Sequence, residues 1–155
     1  MSSYDHSMYM EASLIPGTPF EQVKDALSPI WEKMEKRGLN CIYIPESGGL
    51  TIETTGYADY DYADTVRDAL DNLSPLLVAS GEAELRDHDT ADLENAITRL
   101  VFGPTEESRK EFTIKRDIET VLDILSNHIS GEGIKTLRSE LNDYATVKFP
   151  KACKT

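Results

Sequence analysis

Val23-Lys24-Asp25-Ala26-Leu27 recurs almost letter for letter as Val66-Arg67-Asp68-Ala69-Leu70, and that pair of segments decides how the chain is read. A glycine closes each copy 15 residues beyond its valine, Gly38 in the first and Gly81 in the second. Phe20, Val23, Leu27, Ile30, Trp31 and Met34 recur at helical spacing, giving the first copy a broad apolar stripe. Thr18 is placed to cap this helix, with Pro19 at its first position and Glu21 completing a capping box. The second copy predicts a helix over residues 59–79, with Val66, Leu70, Leu73 and Leu77 on its inner face. Amphipathic helices share short matches by chance, so the repeat gains its weight from the segments downstream of each helix.

Two strand-like segments come after each helix. Residues 39–44 and 50–55 flank the turn Pro45-Glu46-Ser47-Gly48-Gly49, and residues 82–86 and 96–102 flank a longer acidic turn. Gly56 and Gly103 end the two units, and an additional strand over residues 8–15, stopped by Pro16-Gly17, precedes both. The order βαββαββ predicts an α+β domain. Its expected form is a ferredoxin-like βαββαβ(β) antiparallel sheet with two helices on one face. Ile114, Ile118, Val121, Leu122, Leu125 and Ile129 predict a third helix, and Ile134, Leu137 and Leu141 a fourth after Ser130-Gly131-Glu132-Gly133. The expected organisation is an acidic core with a duplicated αββ unit over residues 1–104. A helical extension over 105–145 packs on that core, and a flexible basic tail occupies 146–155.

Charge separates these regions. The chain carries −12 over 155 residues; residues 1–103 hold 19 Asp and Glu against 7 Lys and Arg, and residues 104–155 hold 9 of each. A field of that sign repels nucleic acid and anionic membranes and attracts basic proteins. No apolar run has the length of a membrane span, and Met1 to His6 lacks the basic and apolar parts of a secretory signal. Two cysteines make a poor disulfide framework, so a cytoplasmic protein is expected.

The second helix concentrates the acids. Asp61, Asp64, Asp68 and Asp71 stand at i, i+3, i+7 and i+10, one face of a helix, opposite its apolar residues. Asp59, Tyr57, Tyr60 and Tyr62 lie beside them, and tyrosine rings next to acids suit a protein interface. A solvated helix face accounts for the same pattern without a partner. The turn after residue 86 adds Asp87, His88, Asp89, Asp92 and Glu94, preceded by Glu84 in the strand. As a calcium loop beginning at Asp87 it fails, because Ala91, Asp92 and Thr98 stand where an acid or amide, a glycine and a glutamate are needed. A zinc site lacks neighbouring histidines or cysteines, so neither metal nor cofactor is expected.

Nucleophile chemistry has no support in a Gly-x-Ser-x-Gly elbow, a phosphate-binding glycine loop or a His-Glu-x-x-His pair. Cys41 reads as a small packed residue. The expectation is a non-enzymatic acidic inhibitor that binds a basic protein: a nuclease, a nucleic-acid-binding complex or a toxin. Two other readings compete. One is a small enzyme or ligand-binding domain using Asp87, His88 or Asp89 as acid–base groups, and the other is a homodimer formed through a sheet edge.

Overall fold

A computed structural model describes residues 4–36, 38–55, 57–58, 62–87 and 96–145. Alternation along the first strand, β1 (Tyr4–Ser13), sets its layers: Met8, Met10 and Ala12 are buried, while Tyr9, Glu11 and Ser13 are exposed. Beyond it come α1 (Phe20–Ala26), α2 (Ser28–Lys36), β2 (Leu39–Ile44), β3 (Gly49–Thr54) and the two-residue β4 (Tyr57–Ala58). Next are α3 (Tyr62–Leu73), a 3-10 turn (Ser74–Leu76), β5 (Gly81–Asp87), β6 (Ala96–Phe102), α4 (Glu106–Leu125) and α5 (Gly131–Asp143).

The sheet runs β2-β3-β1-β5-β6, every neighbour antiparallel, and β4 pairs with the start of β1. The class is therefore α+β with an antiparallel sheet and five helices among the described residues. This order departs from a simple ferredoxin-like sheet, because β6 extends it beyond β5 and β4 joins β1. The two hairpins also meet β1 differently, the first through its second strand β3 and the second through its first strand β5.

One sheet face carries the core, and on the other, termed the open face, Tyr9, Glu11, Ile42, Ile44 and Glu53 are exposed. Met8, Met10, Ala12, Leu50, Ile52, Ala83, Leu85, Leu100 and Phe102 share a core with Val23, Leu27, Ile30 and Met34 of the α1–α2 segment. Val66, Ala69, Leu70 and Leu73 of α3 complete it. Burial of Val66, Leu70 and Leu73 stabilises the seating of α3 by about 5–9 kcal/mol gross, at 1.5–3 kcal/mol each. Arg67 Nη1 donates to the Val101 carbonyl at 3.0 Å, and Asn72 Nδ2 to the Ala26 carbonyl at 3.2 Å, tying the helix to β6 and to α1.

Several expectations are corrected. The first helix is broken at Leu27, and α2 restarts at Ser28 with Pro29 in its first turn, where a missing N–H costs no helical bond. The capping box at Thr18 does not form: Pro19 is the cap residue, and the buried Thr18 hydroxyl donates to the Ile15 carbonyl at 2.6 Å. A reciprocal box exists instead before α4, where Ser108 N donates to Thr105 Oγ1 at 3.0 Å and Thr105 N to Ser108 Oγ at 3.1 Å. The second helix stops at Leu73 rather than Ala79, and Leu77 reaches the core through a bridge to Leu14. Ser130 caps α5 by accepting from Gly133 N at 3.1 Å, so the Ser-Gly-Glu-Gly break is also a helix start.

The chain divides into two compact units, Met1–Arg109 and Lys110–Thr155. In the second, Arg138 of α5 donates to both carboxylate oxygens of Glu119 in α4, at 2.8 and 3.0 Å, and Leu122 is buried.

Candidate functional site

Three of the aspartates expected on one helix face are there. Asp64, Asp68 and Asp71 of α3 are all exposed, and at 100° per residue they fall within an arc of about 60°. Val66, Ala69, Leu70 and Leu73 fall on the opposite side and are buried. Repulsion between Asp64 and Asp68 and between Asp68 and Asp71 costs under about 1 kcal/mol in total, far less than the burial opposite contributes. The core therefore fixes the direction in which the acids point. The three charges occupy about 10.5 Å of helix axis, against one charge per roughly 3.4 Å along a DNA strand. Arg67 lies at the border of this arc, and its bond to the Val101 carbonyl draws the guanidinium toward β6.

Tyr62 does not join that surface. It is 7 % exposed, its hydroxyl lies 3.2 Å from Thr54 Oγ1, and its ring packs 5.6 Å from that of His6. It is a core residue. The side chains of Tyr57, Asp59, Tyr60, Asp61, His88, Asp89, Asp92 and Glu94 lie outside the described residues.

Glu84 is parted from the α3 stripe by the sheet. Its neighbours Ala83 and Leu85 face the helices, so Glu84 points to the open face. There the strand register aligns Asn40, Glu53, Tyr9, Glu84 and Arg99 in one transverse row. Tyr9 donates to Glu11 Oε1 at 2.5 Å, and Glu84 accepts from Arg86 Nη2 at 2.7 Å. The bond to Glu11, then slight burial and the charges of Glu11 and Glu53, hold the Tyr9 hydroxyl above its ordinary pKa. The molecule thus carries acids on both sides of its sheet, and Glu84 does not share a face with the α3 stripe.

Asp87 has a different neighbour from the one its sequence position indicates. Strand pairing sets it opposite His6, on the covered face near Tyr62 and Thr54. The pairing of β1 with β5 brings a histidine and a carboxylate together from positions some 80 residues apart, and no local pattern announces that. Among the described residues, no three His, Cys, Asp or Glu side chains are grouped as a metal would require. Burial pushes the Cys41 thiol up, which disfavours a thiolate.

The edge of the first unit holds a feature that apolar periodicity alone does not single out. Phe20, Trp31 and Tyr43 form an aromatic cluster, with Phe20–Trp31 centroids 6.0 Å apart at 70° and Phe20–Tyr43 centroids 6.3 Å apart at 29°. Lys24 Nζ stands 5.5 Å from the Trp31 ring centroid, and Trp31 Nε1 donates to Glu35 Oε1 at 2.8 Å. Tyr43 belongs to β2 and donates to the Thr18 carbonyl at 2.6 Å.

In the second unit, an open groove of about 470 Å³ is bordered by Arg116, Glu119, Asp123, Ile134 and Arg138. Its central charges, Glu119 and Arg138, are already engaged with each other. No helix among the described residues is long and apolar enough to cross a membrane. Compared with family models, curated proteins and solved structures, the chain matches none of them.

Proposed function

We propose that this chain is a non-enzymatic acidic inhibitor that occupies the nucleic-acid-gripping surface of a basic protein. The observation that carries this reading is the α3 stripe: Asp64, Asp68 and Asp71 are exposed together while the other side of the same helix is locked into the core. Carboxylates held at fixed spacing present charge without the entropy cost of ordering a loop on binding. They speed encounter with a cationic surface and make the complex sensitive to salt. A phage-type anti-defence protein and a toxin-immunity protein both use this chemistry, against a nuclease, a nucleic-acid-binding complex or a toxin. The scaffold in this reading is an elaborated ferredoxin-like fold. Its supports are the β2-β3-β1-β5 order, the α1–α2 crossover from β1 to β2 and the α3 crossover toward β5.

The test is affinity capture from the native host at low and high salt, with prey identified by mass spectrometry. A basic nucleic-acid-handling protein is the expected prey, released as salt rises. Exposed ion pairs contribute about 0.2–1 kcal/mol each, so losing three weakens binding by roughly 3- to 150-fold. Joint substitution Asp64→Lys, Asp68→Lys and Asp71→Lys adds repulsion to that loss. Undiminished capture by a triple variant that still folds removes the stripe from the binding surface.

A further inference from the structure

We propose that the outer edge of β2 is a docking site for an extended, lysine- or arginine-bearing segment of the protein partner, which adds to the sheet as a further strand. The inference rests on the reading of the chain as a binder of basic protein and gives that reading a second, main-chain contact.

Three independent observations meet at this edge. First, β2 ends the strand path, and among the described residues no strand pairs with its outer side. Edge strands are ordinarily blunted by charge, proline or a bulge. Leu39-Asn40-Cys41-Ile42-Tyr43-Ile44 has no charge and no proline, and its six pairs with β3 run in unbroken register. Second, both flanks of the edge offer contact area. Ile42 and Ile44 are 53 % and 50 % exposed on the open face, and Phe20, 39 % exposed, tops the aromatic cluster with Trp31 and Tyr43 on the other. Aromatic rings at such a place are the residues that dominate binding energy in protein interfaces. Third, Lys24 stands by the aromatic flank, so the charge on the open face is what selects the occupant. Glu53 stands one strand in from the edge, opposite Asn40, and Glu46 lies in the adjoining turn. Glu53 is therefore about 10 Å from an added strand, two inter-strand spacings, within reach of a long cationic side chain whose stem lies over Ile42.

Added strands place alternate side chains on opposite faces. The segment that fits alternates a cation toward the open face with an apolar residue toward Phe20, Trp31 and Tyr43. A second copy of this chain fits less well, since pairing β2 with itself brings together two acidic units that share a net charge of the same sign.

The probe is an acetylated, amidated peptide alternating lysine and valine, added to the full chain and monitored by amide NMR and hydrogen exchange. Its binding is expected to slow exchange at the outward-facing amides of residues 39–44 by about tenfold, the protection that one added main-chain hydrogen bond supplies. A peptide alternating glutamate and valine is expected not to bind. The lysine–valine peptide N-methylated at every residue, which has no main-chain donor left on either edge, is expected to bind at least about tenfold more weakly. Ile42→Lys with Ile44→Lys changes two exposed side chains and is expected to lose the peptide while keeping the fold. The triple aspartate variant of α3 is expected to retain the peptide, so a failed stripe and a failed edge give different results. Equal affinity of the methylated peptide, or binding without protection of residues 39–44, overturns the proposal. Concentration-dependent dimerisation in sedimentation that Ile42→Lys and Ile44→Lys abolish overturns it too, by naming the second copy as occupant.

Discussion

Replacing Gly48 by alanine tests whether the β2–β3 turn is held against β1 as tightly as its contacts imply. Gly48 has φ +79°, and a methyl there lies 2.0 Å from the backbone oxygen of Leu14, where ordinary contact is 3.4–4 Å. Two costs add. An L residue in the left-handed region is strained by about 1–2 kcal/mol. Relieving the overlap moves the turn by roughly an ångström or more and breaks the 2.8 Å bond from Leu14 N to the Gly48 carbonyl. Leu14 is fully buried, so that loss adds about 1–3 kcal/mol. The sum, about 2–5 kcal/mol, is a large share of the roughly 5–15 kcal/mol typical of folded proteins. Gly17 provides the control, because its φ is +87° but a methyl there meets nothing within 4 Å. Alanine at Gly17 therefore carries the strain alone. The chain has one tryptophan, Trp31 in α2, so its fluorescence in urea reports unfolding of the unit that contains both turns. Gly48→Ala is expected to be less stable than Gly17→Ala by about 1–3 kcal/mol, with similar denaturant slopes. Equal midpoints refute the claim that Leu14 holds the turn.

Two further outcomes separate packing from binding and charge from burial. Tyr62→Phe deletes a hydroxyl that faces Thr54 in the core; it is expected to cost about 1 kcal/mol in urea while leaving partner capture unchanged, and weakened capture by a folded variant contradicts the buried placement. The Arg138 guanidinium, through its hydrogen bonds above all, holds the Glu119 carboxyl below its ordinary pKa. The pair's support for the α4–α5 contact is thus complete above the ordinary carboxylate range and is lost as pH falls through the lowered value. An NMR titration is expected to return Glu119 to its ordinary range in Arg138→Gln, and an unmoved midpoint refutes the pairing.

The residues that were legible are those whose neighbours lie within one turn or one pleat. Met8, Met10 and Ala12 alternate with Tyr9, Glu11 and Ser13, so β1 declares its two faces without help from the rest of the chain. Asp64, Asp68 and Asp71 likewise declare theirs, and Tyr62, four residues before Val66, belonged by the same rule to the buried side. Its angle on the helix is a better guide to its burial than its companionship with acids in the sequence. Ser28-Pro29 and Ser74-Pro75 both mark helix breaks, but apolar periodicity runs through the first from Phe20 to Met34 and conceals it. Glu84 shows where local reading stops. Alternation sets it opposite Ala83 and Leu85, yet only the packing of α3 on the Ala83 side places the sheet between Glu84 and the aspartate stripe. The exposed edge of β2 is further still from local reading, since a strand becomes an edge only when all the others have chosen partners. A basic partner that engages the α3 stripe therefore meets a helix face, and one that engages β2 meets a sheet edge. The two charge-altered variants, one on each, decide which of these surfaces the acidity serves.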